Sequence, residues 1–292
     1  MFAQKFEKWE IFEQKGIIQY EEQMYDFADE HLNRALEMNP KAYRSAKYLG
    51  FLYHYKEDYN RALTFFLLSL DTNPKQDDAH YMVGEIYDRK MKTAEALSHF
   101  KKSIEINDNY YKSHLGCART ESILGNTKQS DYHFNRAFEI NREKSMNLFS
   151  QARDKRTKKA NKSSLALLEK ALTLNPAHKE IYFELSSVYR AEKEFESAIR
   201  TLERLKYYLP HETKIYVMIA NIYYSERVLH RRNNDYQAAL FNIERALEFD
   251  PDNLQYLELA QELYKLNGMN KEYEETSKKV LRLTLEQFED TK

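Results

Sequence analysis

Leu36–Lys41 reads LEMNPK, and Leu70–Lys75, 34 residues later, reads LDTNPK. The same phase returns at Pro176 and Pro210, again 34 apart, and the 102 residues from Pro74 to Pro176 are three further steps. The intermediate steps fall on Asp108 and Arg142, within INDN and INRE. Asparagine holds the preceding position five times running, at Asn39, Asn73, Asn107, Asn141 and Asn175. A fixed period of this length marks an array of small repeated units, each needing its neighbours to bury an apolar face.

Other residue classes keep the same clock. Gly16, Gly50 and Gly84 are 34 apart. Ala28, Ala62, Ala96 and Ala198 share a second phase, with Ser130 and Ser164 at the steps between. Ala35, Ala137 and Ala171 share a third, with Ser69 and Ser103 between. Tyr53 and Tyr87, then Tyr189 and Tyr223, mark a fourth. Apolar residues recur at spacings of three and four, as in Val83, Gly84 and Tyr87, and again in Leu97, Phe100 and Ile104. Each period therefore holds two amphipathic helices. The small residues let helices approach closely, and an aromatic fills the remaining gap. The proline stops one helix and starts the next without requiring a backbone N–H.

With the proline counted as position 32 of a unit, residues 43–76 supply Leu49 at 7, Gly50 at 8, Tyr53 at 11, Ala62 at 20, Phe66 at 24, Ser69 at 27 and Pro74 at 32. This set resembles the tetratricopeptide repeat family, along essentially the whole chain. The resemblance implies an all-α fold: a right-handed superhelical solenoid of about eight stacked antiparallel helix pairs, forming one domain over 1–292. The units are drawn at 9–42, 43–76, 77–110, 111–144, 145–178, 179–212, 213–253 and 254–288. The seventh carries a seven-residue insertion, and the eighth, with Tyr273 in place of a small residue, is expected to act as a C-terminal cap. Phe2, Phe6 and Trp9 would extend the first helix backwards along one stripe.

Composition narrows the function classes. Net charge is −1, so nothing global marks a nucleic-acid binder. Six glycines and five prolines are too few for a fold of tight turns and short strands. Cys117 is the single cysteine, which rules out an internal disulfide and a cysteine-based zinc site. The longest apolar stretch, 62–70, is interrupted by Thr64 and Ser69 and falls far short of a membrane span. The opening MFAQKFEKWE lacks the apolar core of a signal peptide, so a cytoplasmic location is expected. There is no phosphate-cradling glycine motif and no HExxH. His80 and His114 fall at packed position 4 and read as satisfied interior rings; Cys117, at packed position 7, reads as a small buried hydrophobe. No catalytic residue, metal ligand or cofactor is assigned, and the chain reads as non-enzymatic.

Candidate sites lie where the period is kept but the residue departs from it. The opening helix of the fifth unit lacks the glycine and the tyrosine, and its continuation 153–162, RDKRTKKANK, holds six Lys or Arg against one acid. That run is either a solvated helix end or a basic patch. The insertion, within SERVLHRRNNDYQ at 225–237, is close to two helical turns. It would project the tip RVLHRR past neighbouring pairs, or is a tolerated loop. The resemblance further implies that positions 2, 5, 9 and 12 of each first helix line a concave groove. Counted so, the middle of the groove carries Arg119, Arg153, Arg156 and Arg190 beside Phe149 and Phe183, with Asn221 in the following unit. Guanidinium forks suit carboxylates, and the rings suit an apolar anchor. The expected partner is an extended acidic protein segment with one hydrophobic side chain.

Alternatives remain open at this point. The arginines could instead pair with acidic neighbours such as Asp154 and Glu121. A second function class is RNA binding along 153–162 and at the 230–232 tip; it is disfavoured because no aromatics interleave with the basic run. Capture of chaperone C-termini is not expected, since Glu13, Ile17, Tyr48, Asp78 and Met82 stand where that family subtype places Lys, Asn and Arg. The tail LRLTLEQF at 281–288 would cap the stack or pair with a second copy in a homodimer.

Overall fold

The computed structural model describes residues 7–225 and 234–289, which form sixteen α-helices and no strand. The chain divides into two compact units. The first, Met1–Ile140, holds α1 (Lys8–Glu21), α2 (Tyr25–Met38), α3 (Tyr43–Tyr55), α4 (Tyr59–Thr72), α5 (Asp77–Arg89), α6 (Thr93–Ile106), α7 (Tyr111–Ile123) and α8 (Thr127–Ile140). The second, Asn141–Lys292, holds α9 (Arg142–Thr157), α10 (Asn161–Leu174), α11 (Lys179–Ala191), α12 (Phe195–Tyr208), α13 (Thr213–Ser225), α14 (Asn234–Phe249), α15 (Leu254–Leu266) and α16 (Asn270–Glu289). Within each unit, consecutive helices pack as hairpins, and the second helix of each hairpin packs on the first helix of the next. This is an all-α repeat architecture. Phe2, Phe6 and the 230–232 tip lie outside the described residues.

Two kinds of turn set the period. Inside a hairpin, the residue at position 15 has left-handed backbone. Gln23, Glu57, Met91, Gly125, Lys159, Lys193 and Gly268 all have φ between 57° and 81°. The next amide then reaches the carbonyl five residues back, as Asp58 N to Tyr53 O at 2.9 Å and Asn126 N to Glu121 O at 2.8 Å, closing the helix end in a Schellman motif. Five of these seven residues carry a Cβ that this backbone disfavours. Glu57→Gly and Lys193→Gly are each expected to raise stability by about 0.5–1 kcal/mol, and Gly125→Ala to lower it by a similar amount. No atom lies within 4 Å of a Cβ built on Gly125, so the loss there is conformational alone. Urea midpoints of the three variants check the signs.

Between hairpins, the recurrent asparagine forms an Asx turn. Asn39, Asn73, Asn107 and Asn175 each accept the amide two residues on, from Lys41, Lys75, Asn109 and Ala177, at 3.0–3.1 Å. A side chain at position 4 adds a second tie. His80 and His114 bond the carbonyls of Pro74 and Asp108 at 3.1 and 3.0 Å, and the hydroxyls of Tyr182 and Tyr216 donate to Pro176 O and Pro210 O at 2.9 and 2.6 Å. The exception is Asn141, where Arg142 stands at the proline phase. Arginine has an N–H and a free φ, and α9 begins at Arg142 itself, three residues ahead of the start drawn at 145.

The small-residue clock is a packing requirement. A Cβ added to Gly50 would lie 2.7 Å from Phe66 Cδ1 and Cε1, closer than carbon atoms approach. Ala28, Ala62, Ala96 and Ala198 are fully buried. Where serine replaces alanine, its hydroxyl is spent on a carbonyl across the helix pair. Ser130 donates to Ala118 O at 2.7 Å and Ser164 to Ala152 O at 2.9 Å, while Ser69 and Ser103 reach Tyr43 O and Asp77 O at 2.7 and 2.8 Å. A buried hydroxyl is tolerated because it is bonded.

Candidate functional site

In the Asn141–Lys292 unit, the candidate residues sit on the first helices of three successive hairpins, α9, α11 and α13. Phe149 and Arg153 are one turn apart on α9, with Arg156 a further turn along. Phe183 and Arg190 are on α11, and Asn221 is on α13. Two bonds join these helices. Arg156 Nη1 donates to Glu184 Oε1 at 2.6 Å, and Arg190 Nη2 donates to Ser225 Oγ at 2.8 Å. Ser225 in turn donates to the backbone carbonyl of Asn221 at 2.6 Å. Arg119 belongs to the other unit, on α7, where its guanidinium donates to Asp88 Oδ1 of α5.

The rings are half-buried and partly engaged. Phe149 meets the buried His178 ring edge-to-face, with centroids 4.9 Å apart. Phe183 carries the Lys214 ammonium 4.2 Å above its centroid, a cation–π contact at the surface. Arg153 is exposed and has no ion pair or side-chain hydrogen bond among the described residues.

The alternative that the arginines pair within the chain holds for Arg119 and Arg156, but with acids other than Asp154 and Glu121. Residues one or two apart on a helix do not face each other. Glu121 is instead taken by Lys101 Nζ at 2.7 Å and Asn126 Nδ2 at 2.8 Å. The acids that hold Arg119 and Arg156 come from the neighbouring hairpin, 31 and 28 residues away. The pattern is general along the first helices. Arg44 lies 3.7 Å from Glu13, Lys47 Nζ 2.8 Å from Asp78, and the Tyr224 hydroxyl donates to Glu262. Glu13 also accepts Ser45 N at 3.1 Å and Ser45 Oγ at 2.9 Å, supplying α3 with the N-terminal cap that its own Ala42 cannot provide. Polar side chains on this face therefore zip one repeat to the next. Arg153 departs from that habit.

The rest of the basic run is exposed: Lys155 in the last turn of α9, where a cation suits the helix C-terminus, then Lys158 and Lys159 in the turn, and Lys162. In the tail, Leu281 and Leu285 of α16 are 62% and 55% exposed. Cys117 is fully buried, and burial pushes its thiol up to about 12, which leaves no thiolate for nucleophilic chemistry near neutral pH. Among the described residues, no group of three or more His, Cys, Asp or Glu is placed to hold a metal ion, and no helix is long and apolar enough to cross a membrane.

Two family models, both described as Tetratricopeptide repeat, match residues 77–110 and 152–222. No curated protein matches the chain. Among solved structures, the chain is similar to a tetratricopeptide repeat protein from Parabacteroides merdae, at 17% identity over 89% of this chain and 98% of that one, with a TM-score of 0.46. It is also similar to PilW, described as a type IV pilus biogenesis factor, at 15% identity over 72% and 98%, with a TM-score of 0.46. A third is YrrB, described as a TPR protein with an unusual peptide-binding site, at 16% identity over 78% and 96%, with a TM-score of 0.35.

Proposed function

We propose that this chain, which belongs to the tetratricopeptide repeat family, is a non-enzymatic protein-interaction scaffold whose α9–α11–α13 face holds an acidic partner segment carrying one apolar side chain. The observation that carries this reading is Arg153. It stands exposed beside Phe149, without the counter-charge that Glu184 of the adjoining repeat gives its neighbour Arg156. A carboxylate from outside would complete the pattern that the chain completes internally elsewhere. Phe149 and Phe183 supply half-buried apolar surface, and Lys214 a second cation. Arg156 and Arg190 shape the floor, because their guanidinium groups are engaged within the unit, and Asn221 lies beside them with its backbone carbonyl taken by Ser225. Arg119 is held by Asp88 and acts as a structural residue.

The expected affinity is modest. Each exposed charge pair adds about 0–1 kcal/mol, and covering one ring adds about 1.5–3 kcal/mol. With two cations, Arg153 and Lys214, and two rings, these contributions reach at most about 8 kcal/mol before the cost of ordering the segment, so a dissociation constant weaker than micromolar is expected. A randomised peptide library selected on the intact chain tests it. The selected sequences are expected to be enriched in Asp and Glu around one large apolar residue. Arg153→Glu is expected to invert the charge preference, and Phe149→Ala to abolish the apolar one. Selected peptides without acidic enrichment, or enrichment that survives Arg153→Glu, would overturn the assignment.

A further inference from the structure

Two histidine pairs recur one period apart in the Met1–Ile140 unit. His80 Nδ1 lies 3.1 Å from His99 Nδ1, and His114 Nδ1 lies 3.1 Å from His133 Nδ1. His80, His114 and His133 are buried, and His99 is half-buried. In each pair the position-4 ring has its other nitrogen on a turn carbonyl, Pro74 O or Asp108 O. A carbonyl only accepts, so Nε2 of His80 and His114 carries the proton and Nδ1 is bare. The partner Nδ1, on His99 or His133, must then donate. These bonds assign the tautomers of four neutral rings. A proton added to His80 or His114 can go only on Nδ1, where another N–H already points. The bond survives only if the partner moves its own proton to Nε2, which leaves a buried imidazolium, and a second proton puts two donors face to face across the same gap.

The surroundings favour the neutral rings. Burial, and then the neighbouring histidine, hold His99 and His133 down at about 4, and burial lowers His80 and His114 as well. The charged groups that act on the first pair are Lys102 and Glu105 of α6, with the Tyr87 ring of α5 against His99. On the second pair act Lys101 of α6, Asp108 of the intervening turn, Glu121 of α7 and Arg136 of α8, with the Tyr132 ring against His133. Folded rings thus bind protons less readily than unfolded ones. Their contribution to stability is complete above the ordinary histidine value of 6.5 and is lost as pH falls toward about 4.

We propose that the two pairs are acid-sensitive latches: neutral, each closes its hairpin through the ring-to-ring bond; protonated, each places buried positive charge between its two helices, so that α5–α8 open with proton uptake while hairpins lacking such a pair stay closed. The same carbonyl tie is made without a titrating group in the other unit. There Tyr182 bonds Pro176 O, and Thr201 stands at the position that His99 and His133 occupy in their repeats. The tie itself does not require histidine. What histidine adds, twice, is dependence on the proton.

That repeat supplies the test. The variant His80→Tyr/His99→Thr/His114→Tyr/His133→Thr copies it into both hairpins. Amide hydrogen-exchange protection, corrected for intrinsic rates, would be measured for the whole chain at about pH 7 and about pH 5. In the wild type, α5–α8 are expected to lose protection by about tenfold or more relative to α1–α4, whereas the variant loses no more there than elsewhere. Unchanged protection of α5–α8 in the wild type, or an equal loss in the variant, overturns the proposal. Should the variant fail to fold, an NMR titration of the four wild-type imidazoles decides. Suppressed titration that ends with the opening of α5–α8 supports the latch. Ordinary titration near 6.5 with the helices intact sinks it.

Discussion

Replacing Phe100 with alanine is expected to lower the unfolding free energy by about 3–5 kcal/mol. Phe100 is 2% exposed and clusters with Ala96 and Cys117, with Tyr81, Tyr87, Leu97 and Ile104 around them. Its ring lies between two glycines of successive repeats. A Cβ on Gly84 would stand 2.7 Å from Phe100 Cδ1 and Cε1, and a Cβ on Gly116 would stand 2.7 Å from Cε1 and Cζ. The ring cannot yield to one without striking the backbone beside the other. Gly84→Ala in the wild type is therefore expected to cost about 1–3 kcal/mol from overpacking, although alanine favours the helix by about 1 kcal/mol. In the Phe100→Ala background the ring clash is gone and the helix preference is opposed only by a 3.2 Å approach to Ala96 O, so the same Gly84→Ala becomes stabilising by less than about 1 kcal/mol. Urea midpoints of the four proteins in this cycle give the coupling. A Gly84→Ala effect of one sign in both backgrounds would mean that the ring is not pinned.

This arrangement marks where the sequence stops being readable. The 34-residue period is legible because position, length and side-chain size all enforce it: an Asx turn needs the asparagine, and a closely packed helix pair needs Gly50 beside Phe66. Gly116 is off that clock. Position 8 of its repeat is Ala118, whose carbonyl takes the Ser130 hydroxyl, and the space for Phe100 is made two residues earlier. A count along one repeat does not register a demand made by the ring of the repeat before. The left-handed position 15 is hidden for another reason. Only Gly125 and Gly268 advertise it, while Gln23, Glu57, Met91, Lys159 and Lys193 adopt it because the flanking helices impose it.

The candidate site was legible in residue type but not in pairing. Counting by face selects Arg119, Arg153, Arg156 and Arg190 as equivalent cations. Their roles diverge through acids lying about one period away, Asp88 for Arg119 and Glu184 for Arg156, which a search along the same helix misses. A scan for opposite charges near the repeat spacing would have found both, but it would also have offered Arg153 Glu184, 31 residues on, and Glu121, 32 residues back, so spacing alone does not single Arg153 out. The histidine pairs follow the same rule. His80 and His114 were readable as interior rings, but their partners, 19 residues on, belong to the second helix of the hairpin.

Arg119→Glu is expected to lower stability by about 3 kcal/mol, while Arg153→Glu changes it by less than about 0.5 kcal/mol. The Asp88 and Arg119 side chains are 8% and 17% exposed, so their charges are largely withdrawn from water and depend on each other. Reversing Arg119 leaves Asp88 buried without its cation and brings a second carboxylate toward it. Arg153 makes no comparable contact among the described residues, so its reversal disturbs little beyond local charge. The contrast bears on how binding data are read. A loss of partner capture in Arg119→Glu would report a weakened α5–α7 packing, whereas the same loss in Arg153→Glu, at unchanged stability, would report a lost contact. Replacing Asp88 and Arg119 together by leucine and methionine is expected to recover most of the lost stability, because two apolar side chains need no counter-charge. Chemical denaturation of the three variants distinguishes these outcomes. Wild-type stability in Arg119→Glu would mean that the Asp88 pair is open in solution and that this guanidinium, too, is available to a partner.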